Sequence, residues 1–342
     1  MSREKCFIIA EVGVNHNGSV ETAKRLIDVA HSAGADAVKF QTFQAADLVT
    51  KEAKKANYQK ENTGTDESQF EMLKQLELTE TDFSAIKKYC QLKGIQFLST
   101  PFGENAVDIL DRIGVDAFKV SSGDLTHLPL LQHIATKNKP VILSTGMADL
   151  SEIENALSAI REVADVDISI LHCVSDYPAE PADCNLAAID TLRTAFGVDV
   201  GWSDHTLGCA ITWAAVARGA SIIEKHITLD KNMPGPDHRA SVDPAEFEEL
   251  VNGIRKIEAA IGDGRKKPTA TEENAALTAR RSLTVNRDMK RGEVLSEADI
   301  LMVRPGTGLA PRYKDFVLGL RLAKDVAKAT QLRLDHFHET KS

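Results

Sequence analysis

Eight short apolar runs recur along the chain, at residues 7–13, 37–42, 95–101, 117–123, 140–146, 168–173, 198–205 and 221–228. Each closes on polar residues, and a stretch with helical spacing follows each one. None alternates cleanly between apolar and polar positions, which is the pattern of strands buried on both faces in a parallel sheet. Eight such strands, each followed by a helix, predict an α/β fold, a (β/α)8 TIM barrel, whose chemistry sits at the carboxyl ends of the strands. The strand ends then nominate Glu11, Lys39, Gln41, Thr100, Lys119, Ser122, Ser144, His172, Ser203, Asp204, His205, Lys225 and His226 as mouth residues.

Helix signals fit between these runs. Ser19 is placed to cap a helix that ends at Gly34, Ser151 to cap another, and Asp243-Pro244 to open a third with proline at its tolerated first position. Residues 48–77 interrupt the rhythm as a long polar loop, a length that points to a lid, a binding loop or a disordered stretch. The barrel is expected over residues 1–262 and a polar linker over 263–277. A strand-rich module follows over 278–342, too small to be comfortable alone and so expected to pack on a barrel, its own or a neighbour's.

Composition narrows the picture. The net charge of -9 argues against nucleic acid or an anionic membrane as partner. No apolar run approaches the ~18 residues of a membrane span, and the first run is too short for a secretory signal. Five cysteines without a CxxC pair fit a reduced, cytoplasmic protein.

Two groups of residues carry candidate chemistry. His205 and His226 end strands seven and eight, which are neighbours in a barrel, so both imidazoles can reach one ion. Two nitrogen ligands leave positions open for substrate oxygens, an arrangement suited to Mn, Co, Zn or Fe rather than Ca. Singly, a strand-end histidine is more often a hydrogen-bonded structural residue; the two together at adjacent strand ends balance that reading with the metal one. Lys39, Lys119 and Lys225 sit near the ends of apolar strands. With Thr100, Ser122, Ser144 and Ser203 they can form an anion site for phosphate or carboxylate. They can also provide a Schiff-base lysine, or pair with Glu11, Asp124 or Glu224. The loop after strand eight brings Asp237, His238 and Arg239 over the mouth, and Arg304 precedes a proline in the small module. His16 is a weaker candidate at the mouth of strand one. His31, His133, His336 and His338 read as structural or surface residues.

The segments Ala10-Glu11-Val12-Gly13-Val14-Asn15-His16-Asn17-Gly18, Val38-Lys39-Phe40-Gln41-Thr42, Ser121-Ser122-Gly123-Asp124, Leu143-Ser144-Thr145-Gly146-Met147, Leu171-His172-Cys173 with Tyr177-Pro178, Trp202-Ser203-Asp204-His205-Thr206 and Glu224-Lys225-His226 together resemble the sialic acid (nonulosonate) synthases. The carboxyl-terminal module with Arg304-Pro305-Gly306 is similar to their antifreeze-like (SAF) domain. The resemblance implies condensation of phosphoenolpyruvate with an open-chain N-acetylated hexosamine, giving a nine-carbon 2-keto acid and phosphate with C–O cleavage. It implies a divalent metal, usually Mn2+ with Mg2+ or Co2+ as alternatives, at His205 and His226. It places Lys39, Thr100, Lys119, Ser122, Ser144 and Ser203 on phosphoenolpyruvate, and Gln41, Asp124, Tyr177, Asp237 and Arg304 on the sugar. Glu11, His226 and Lys119 are expected to act at the reacting centre. The family is a domain-swapped homodimer in which Arg304 enters a partner's barrel. Asp124, where the N-acetylneuraminate enzymes carry Glu, and the segments around Tyr177 and Asp237 resemble the legionaminate branch, which takes a 2,4-diacetamido-6-deoxy sugar. N-acetylmannosamine is the alternative substrate. A Schiff-base aldolase and a non-catalytic sugar-binding protein are the rivals from other classes.

Overall fold

The apolar runs form eight strands: β1 (Phe7–Gly13), β2 (Ala37–Thr42), β3 (Gln96–Pro101), β4 (Phe118–Val120), β5 (Val141–Ser144), β6 (Ile168–Cys173), β7 (Asp199–Asp204) and β8 (Ile222–His226). A computed structural model describes residues 5–64 and 67–337; His338 lies outside them. The strands are parallel and follow the order β3-β2-β1-β8-β7-β6-β5-β4. β3 and β4, at the two ends of that order, come together to complete a TIM barrel.

Successive side chains on a strand face opposite ways, so each strand feeds two cores. The outward set, including Ile8, Val38, Phe118 and Trp202, packs with helical residues such as Leu26, Phe83, Phe247 and Leu250. Truncating a fully buried ring there, as in Phe247→Ala, costs about 3–5 kcal/mol. The inward set starts as an apolar plug of Ile9, Ala37, Leu98, Ala117, Ile142, Leu171 and Ile222. Gly201 completes it. A Cβ at Gly201 would collide with the carbonyl of Ile222 and with Leu171, so β7 and β8 could not stay paired around a larger residue.

Local signals explain most helix ends. Ser19 caps the helix Val20–Ala33 by accepting the Thr22 N–H, and Gly34 ends it at a φ of 87° that favours glycine. Asp243 caps Pro244–Ile261 as expected. Ser151 does not cap: the helix Leu150–Arg161 begins one residue earlier, and the Asp149 carboxylate accepts the N–H groups of Ser151 and Glu152. An ionised oxygen at a helix N-terminus, closed reciprocally by Glu152, outcompetes a hydroxyl.

The expected polar loop at 48–77 is largely helical, with Asn57–Thr63 and Gln69–Leu76 following the short helix Ala45–Leu48. Met72 and Leu76 supply its apolar side, packing with Val14 and Phe43 in a core of their own. Among the described residues no helix is long and apolar enough to cross a membrane.

The chain divides into two compact units, Met1–Asp263 and Gly264–Ser342. The second unit pairs β9 (Ser282–Val285) with β10 (Ile300–Val303) antiparallel. Its core gathers Leu283, Val285, Met289, Leu295, Val317 and Leu322. Part of the expected linker is ordered within this unit, as the 3-10 turn Ala270–Glu272 and the helix Glu273–Ala279. The Gly306 N–H donates to Leu277 O at 2.7 Å.

Candidate active site

Two residues beyond each member of the apolar plug, on the same inward face, stand Glu11, Lys39, Thr100, Lys119, Ser144, Cys173, Ser203 and Glu224. All eight line one cavity of about 440 Å³ at the carboxyl ends of the strands. Gln41, Ser122, Tyr177, His205 and His226 line it further out, and Gln59 and Gln69 reach it from the 48–77 excursion. The barrel interior therefore changes from hydrocarbon to charge within one strand repeat.

The charges are buried and interlocked. Lys39 Nζ lies 2.8 Å from Glu11 Oε2, 3.6 Å from Glu224 Oε1, and donates to Thr100 Oγ1 at 3.0 Å. Across the barrel Lys119 Nζ donates to Ser144 Oγ at 2.6 Å and lies 3.6 Å from the same Glu224 oxygen. Ser203 Oγ donates to that oxygen at 3.2 Å, while Glu224 Oε2 is buried without a hydrogen-bond partner. Burial pushes Glu224 up, but Lys119 and Lys39 outweigh it and hold the carboxylate below its ordinary range. Burial raises Glu11 to about 7, with Lys39 opposing and Glu224 adding to the rise. Two carboxyls with their proton affinities driven apart are the setting for one fixed anion and one acid/base group. Burial lowers Lys119, with Glu224 opposing. For Lys39 burial is outweighed by Glu11 and Glu224, and its affinity rises.

The imidazoles of His205 and His226 have ring centroids 5.6 Å apart, with Tyr177 4.1 Å from the His205 ring. His205 Nδ1 meets Val174 O at 2.7 Å, which fixes that ring, and the inward Cys173 side chain is a further hydrogen-bond partner of the imidazole. Metal-ligating histidines are commonly oriented by such a backbone carbonyl. His226 is driven well below its ordinary range by burial, reinforced by His205. It is held neutral, and its Nδ1 is buried without a partner. A neutral ring with an orphaned nitrogen beside an oriented one fits a divalent metal. No group of three or more His, Cys, Asp or Glu able to hold an ion occurs among the described residues. Two protein nitrogens thus leave the remaining positions of a bound metal to oxygen ligands.

Three strand-end candidates do not reach the cavity. Asp204 and Lys225 face outward and pair with each other at 2.9 Å, both side chains fully buried. His172 also faces outward, against Trp202, with Nε2 2.8 Å from Cys184 O. Strand parity decides all three, since each sits one residue out of step with the inward series. A Schiff base at Lys225 is ruled out on the same ground. Asp124 is half-buried beside the mouth, where its Oδ2 accepts the Ser121 hydroxyl at 2.7 Å. Asp237 is buried in the β8 loop and raised to about 6 by burial. Neither lines the cavity. His16 is buried at the β1 mouth, its Nδ1 accepting the Gly18 N–H at 3.0 Å. Arg304 is exposed on the second unit, and the carbonyl of the following Pro305 accepts from Ser282 Oγ at 2.7 Å and Gln331 Nε2 at 2.9 Å. The three lysines read together therefore divide: Lys39 and Lys119 face the cavity and Lys225 does not.

Glu224 belongs to the inward ring, where it faces Lys39 and Lys119 as the ion-pair reading of the lysines expected, and so does Cys173, which the sequence had not singled out. Counting two residues on from the plug would have found both. Ser175 and Met147, from loops, and Gln59 and Gln69, from the helices of the 48–77 segment, also line the cavity; positions off the strands follow no strand rule. Gly146 leaves an opening among them, since a Cβ there would strike Ser175, Ser122 and Cys173.

The chain matches the NeuB family over residues 26–266 and the SAF domain over residues 280–338. It is 46% identical over 335 residues to the N,N'-diacetyllegionaminic acid synthase of Legionella pneumophila, covering 97% of this chain and 94% of that protein. It is 47% identical over 317 residues to the N,N'-diacetyllegionaminic acid synthase of Campylobacter jejuni, covering 92% and 95%. The crystal structure of N-acetylneuraminic acid (sialic acid) synthetase from Leptospira borgpetersenii, in complex with citrate, aligns with a TM-score of 0.70 at 37% identity, over 80% of this chain and 90% of that one. A charged barrel mouth, its two imidazoles and these likenesses across nearly the whole length agree: the chain belongs to the NeuB family and carries a SAF domain.

Proposed function

We propose that this chain is a nonulosonate synthase. It condenses phosphoenolpyruvate with an N-acetylated hexosamine, releasing phosphate and a nine-carbon 2-keto acid. The observation that carries this reading is the inward ring itself, where Lys39, Lys119 and hydroxyl donors surround a cavity that also holds an oriented imidazole pair. Lys39, Thr100, Lys119, Ser122, Ser144 and Ser203 supply ammonium and hydroxyl donors for the carboxylate and phosphate of phosphoenolpyruvate. These donors also favour the phosphate as it leaves, because negative charge grows on its bridging oxygen. A divalent metal, Mn2+ in this proposal, is held by His205 and His226 and supplies Lewis acidity at the sugar's carbonyl oxygen.

The new C–C bond joins C3 of phosphoenolpyruvate to the sugar aldehyde carbon; water adds at C2, and the C2–O bond to phosphate breaks. Glu11, poised at about 7, is the group able to hold or release a proton beside these atoms. Glu224 stays ionised between the two lysines and keeps both ammonium groups inside the barrel. Gln41, Tyr177, Asp124 and Asp237 serve the sugar. Arg304 of a second copy completes the sugar site in a domain-swapped homodimer.

Among sugars, 2,4-diacetamido-2,4,6-trideoxymannose is favoured. The short Asp124 carboxyl and the likeness to the N,N'-diacetyllegionaminic acid synthases of Legionella and Campylobacter support it. Phosphate release and product mass, measured with this sugar and with N-acetylmannosamine, test the choice; a strong kcat/KM preference for N-acetylmannosamine sinks it. The lowered proton affinity of Lys119 favours a second reading, a Schiff-base aldolase. Borohydride trapping at Lys119 with activity indifferent to EDTA would establish that reading. Inactivation by EDTA with rescue by Mn2+ is the outcome expected here.

A further inference from the structure

Asp204 and Lys225 precede His205 and His226 and are cross-strand partners in the β7–β8 ladder. Their side chains point away from the cavity and meet behind it as a fully buried ion pair. Asp204 Oδ1 accepts both the N–H and the hydroxyl of Thr206, each at 2.8 Å. Its Oδ2 accepts the Thr212 hydroxyl as well as facing Lys225. Lys225 Nζ donates to Thr206 O at 2.5 Å. The pair thus grips Thr206, the residue following His205, on both sides, its N–H through Asp204 and its C=O through Lys225.

A buried ion pair is a poor way to gain stability, because desolvation offsets the attraction and apolar replacements are often neutral or better. What it does supply is fixed geometry. From this arrangement we infer that Asp204 and Lys225 are positioning residues, a clamp that sets the separation and orientation of the two histidines for a divalent metal. The inference rests on the proposed metal site. Strand pairing fixes the two strands, but His205 lies past the end of β7, where the Val174 carbonyl holds its ring, the Ala179 N–H donates to its carbonyl at 3.0 Å, and the clamp fixes the residue that follows it.

The test uses the full-length protein and Mn2+ alone, with free Mn2+ read by electron paramagnetic resonance. Wild type is expected to bind Mn2+, and His226→Ala to lose that binding. If wild type binds none, the metal reading itself falls. The variant Asp204→Asn/Lys225→Met removes both charges while nearly keeping volume. It is expected to fold, to melt close to wild type, and to weaken Mn2+ binding about 10–100-fold. Phosphoenolpyruvate KM at saturating Mn2+ is expected to change less than about threefold, since Lys39 and Thr100 lie on other strands. Thr212→Val, which removes one donor to Asp204, is expected to weaken Mn2+ by about two- to fivefold. Unchanged Mn2+ affinity in a folded double variant overturns the clamp. So does a double variant that fails to fold, because the pair is then required for the fold rather than for the site.

Discussion

The two faces of the β7–β8 edge both bury charged side chains and follow opposite logic. Outward, Asp204 and Lys225 form a closed set in which both carboxylate oxygens have partners. Inward, one residue along each strand, Ser203 and Glu224 belong to an open set where Glu224 Oε2 has no hydrogen bond. His226 Nδ1, two residues on from Glu224, is orphaned as well. Buried polar groups without partners are costly, so they persist where something else completes them. Burial and charge alone do not separate site from scaffold here; the unfilled valences of Glu224 and His226 gather at one cavity, whereas that of Trp202 Nε1 on the outward face stands apart from it.

That contrast can be broken by substitution. The largest effect is expected from Lys119→Met, with kcat/KM falling by about 10^3-fold or more while the melting temperature stays within a few degrees, because Lys39 still faces Glu224. The outward counterpart, Asp204→Asn alone, strands a buried ammonium and is expected to lower the unfolding free energy by about 3–5 kcal/mol, read by urea titration. Equal stability losses in the two variants would erase the distinction. Arg304→Ala is expected to raise the sugar KM about tenfold and leave that of phosphoenolpyruvate nearly unchanged; parallel loss of both contradicts its proposed role.

A smaller effect concerns acid. Burial lowers both His16 and His238 to about 4 from the ordinary 6.5. The unfolded chain therefore binds more protons between those values. The stability they contribute is complete above about pH 6.5 and drains away as pH falls through 4. His16→Gln should flatten the fall in melting temperature between pH 7 and pH 4.5, and an unaltered slope would show that other groups set the acid limit. Smallest of all, Ser203→Ala should cost only a few-fold in kcat/KM, since Glu224 keeps both lysines.

Much of the barrel was legible because a strand buried on both faces leaves a plain hydrophobic run. Runs such as 7–13, 37–42 and 168–173 coincide with strands to the residue. Which polar strand-end residue faces in was not read from the runs, since both faces are apolar and the alternation is hidden. His172, Asp204 and Lys225 were misassigned for that reason and Cys173 overlooked, while Glu224 was expected only as an ion-pair partner of the lysines. The parity emerges only once one inward residue per strand is known, and it then orders the whole mouth. The helices within 48–77 were masked by polar composition; just a few apolar residues, Met72 and Leu76 among them, anchor that segment.

The same segment has a consequence for how such an enzyme changes over time. It enters and leaves the barrel between β2 and the helix before β3, packs Met72 and Leu76 on Val14 and Phe43 of the barrel, and contributes Gln59 and Gln69 to the cavity wall without joining the strand ladder. Residues there can drift, or be swapped as a cassette, with little effect on the register of eight strands. A library confined to this stretch would explore new acceptor sugars on an unaltered chassis.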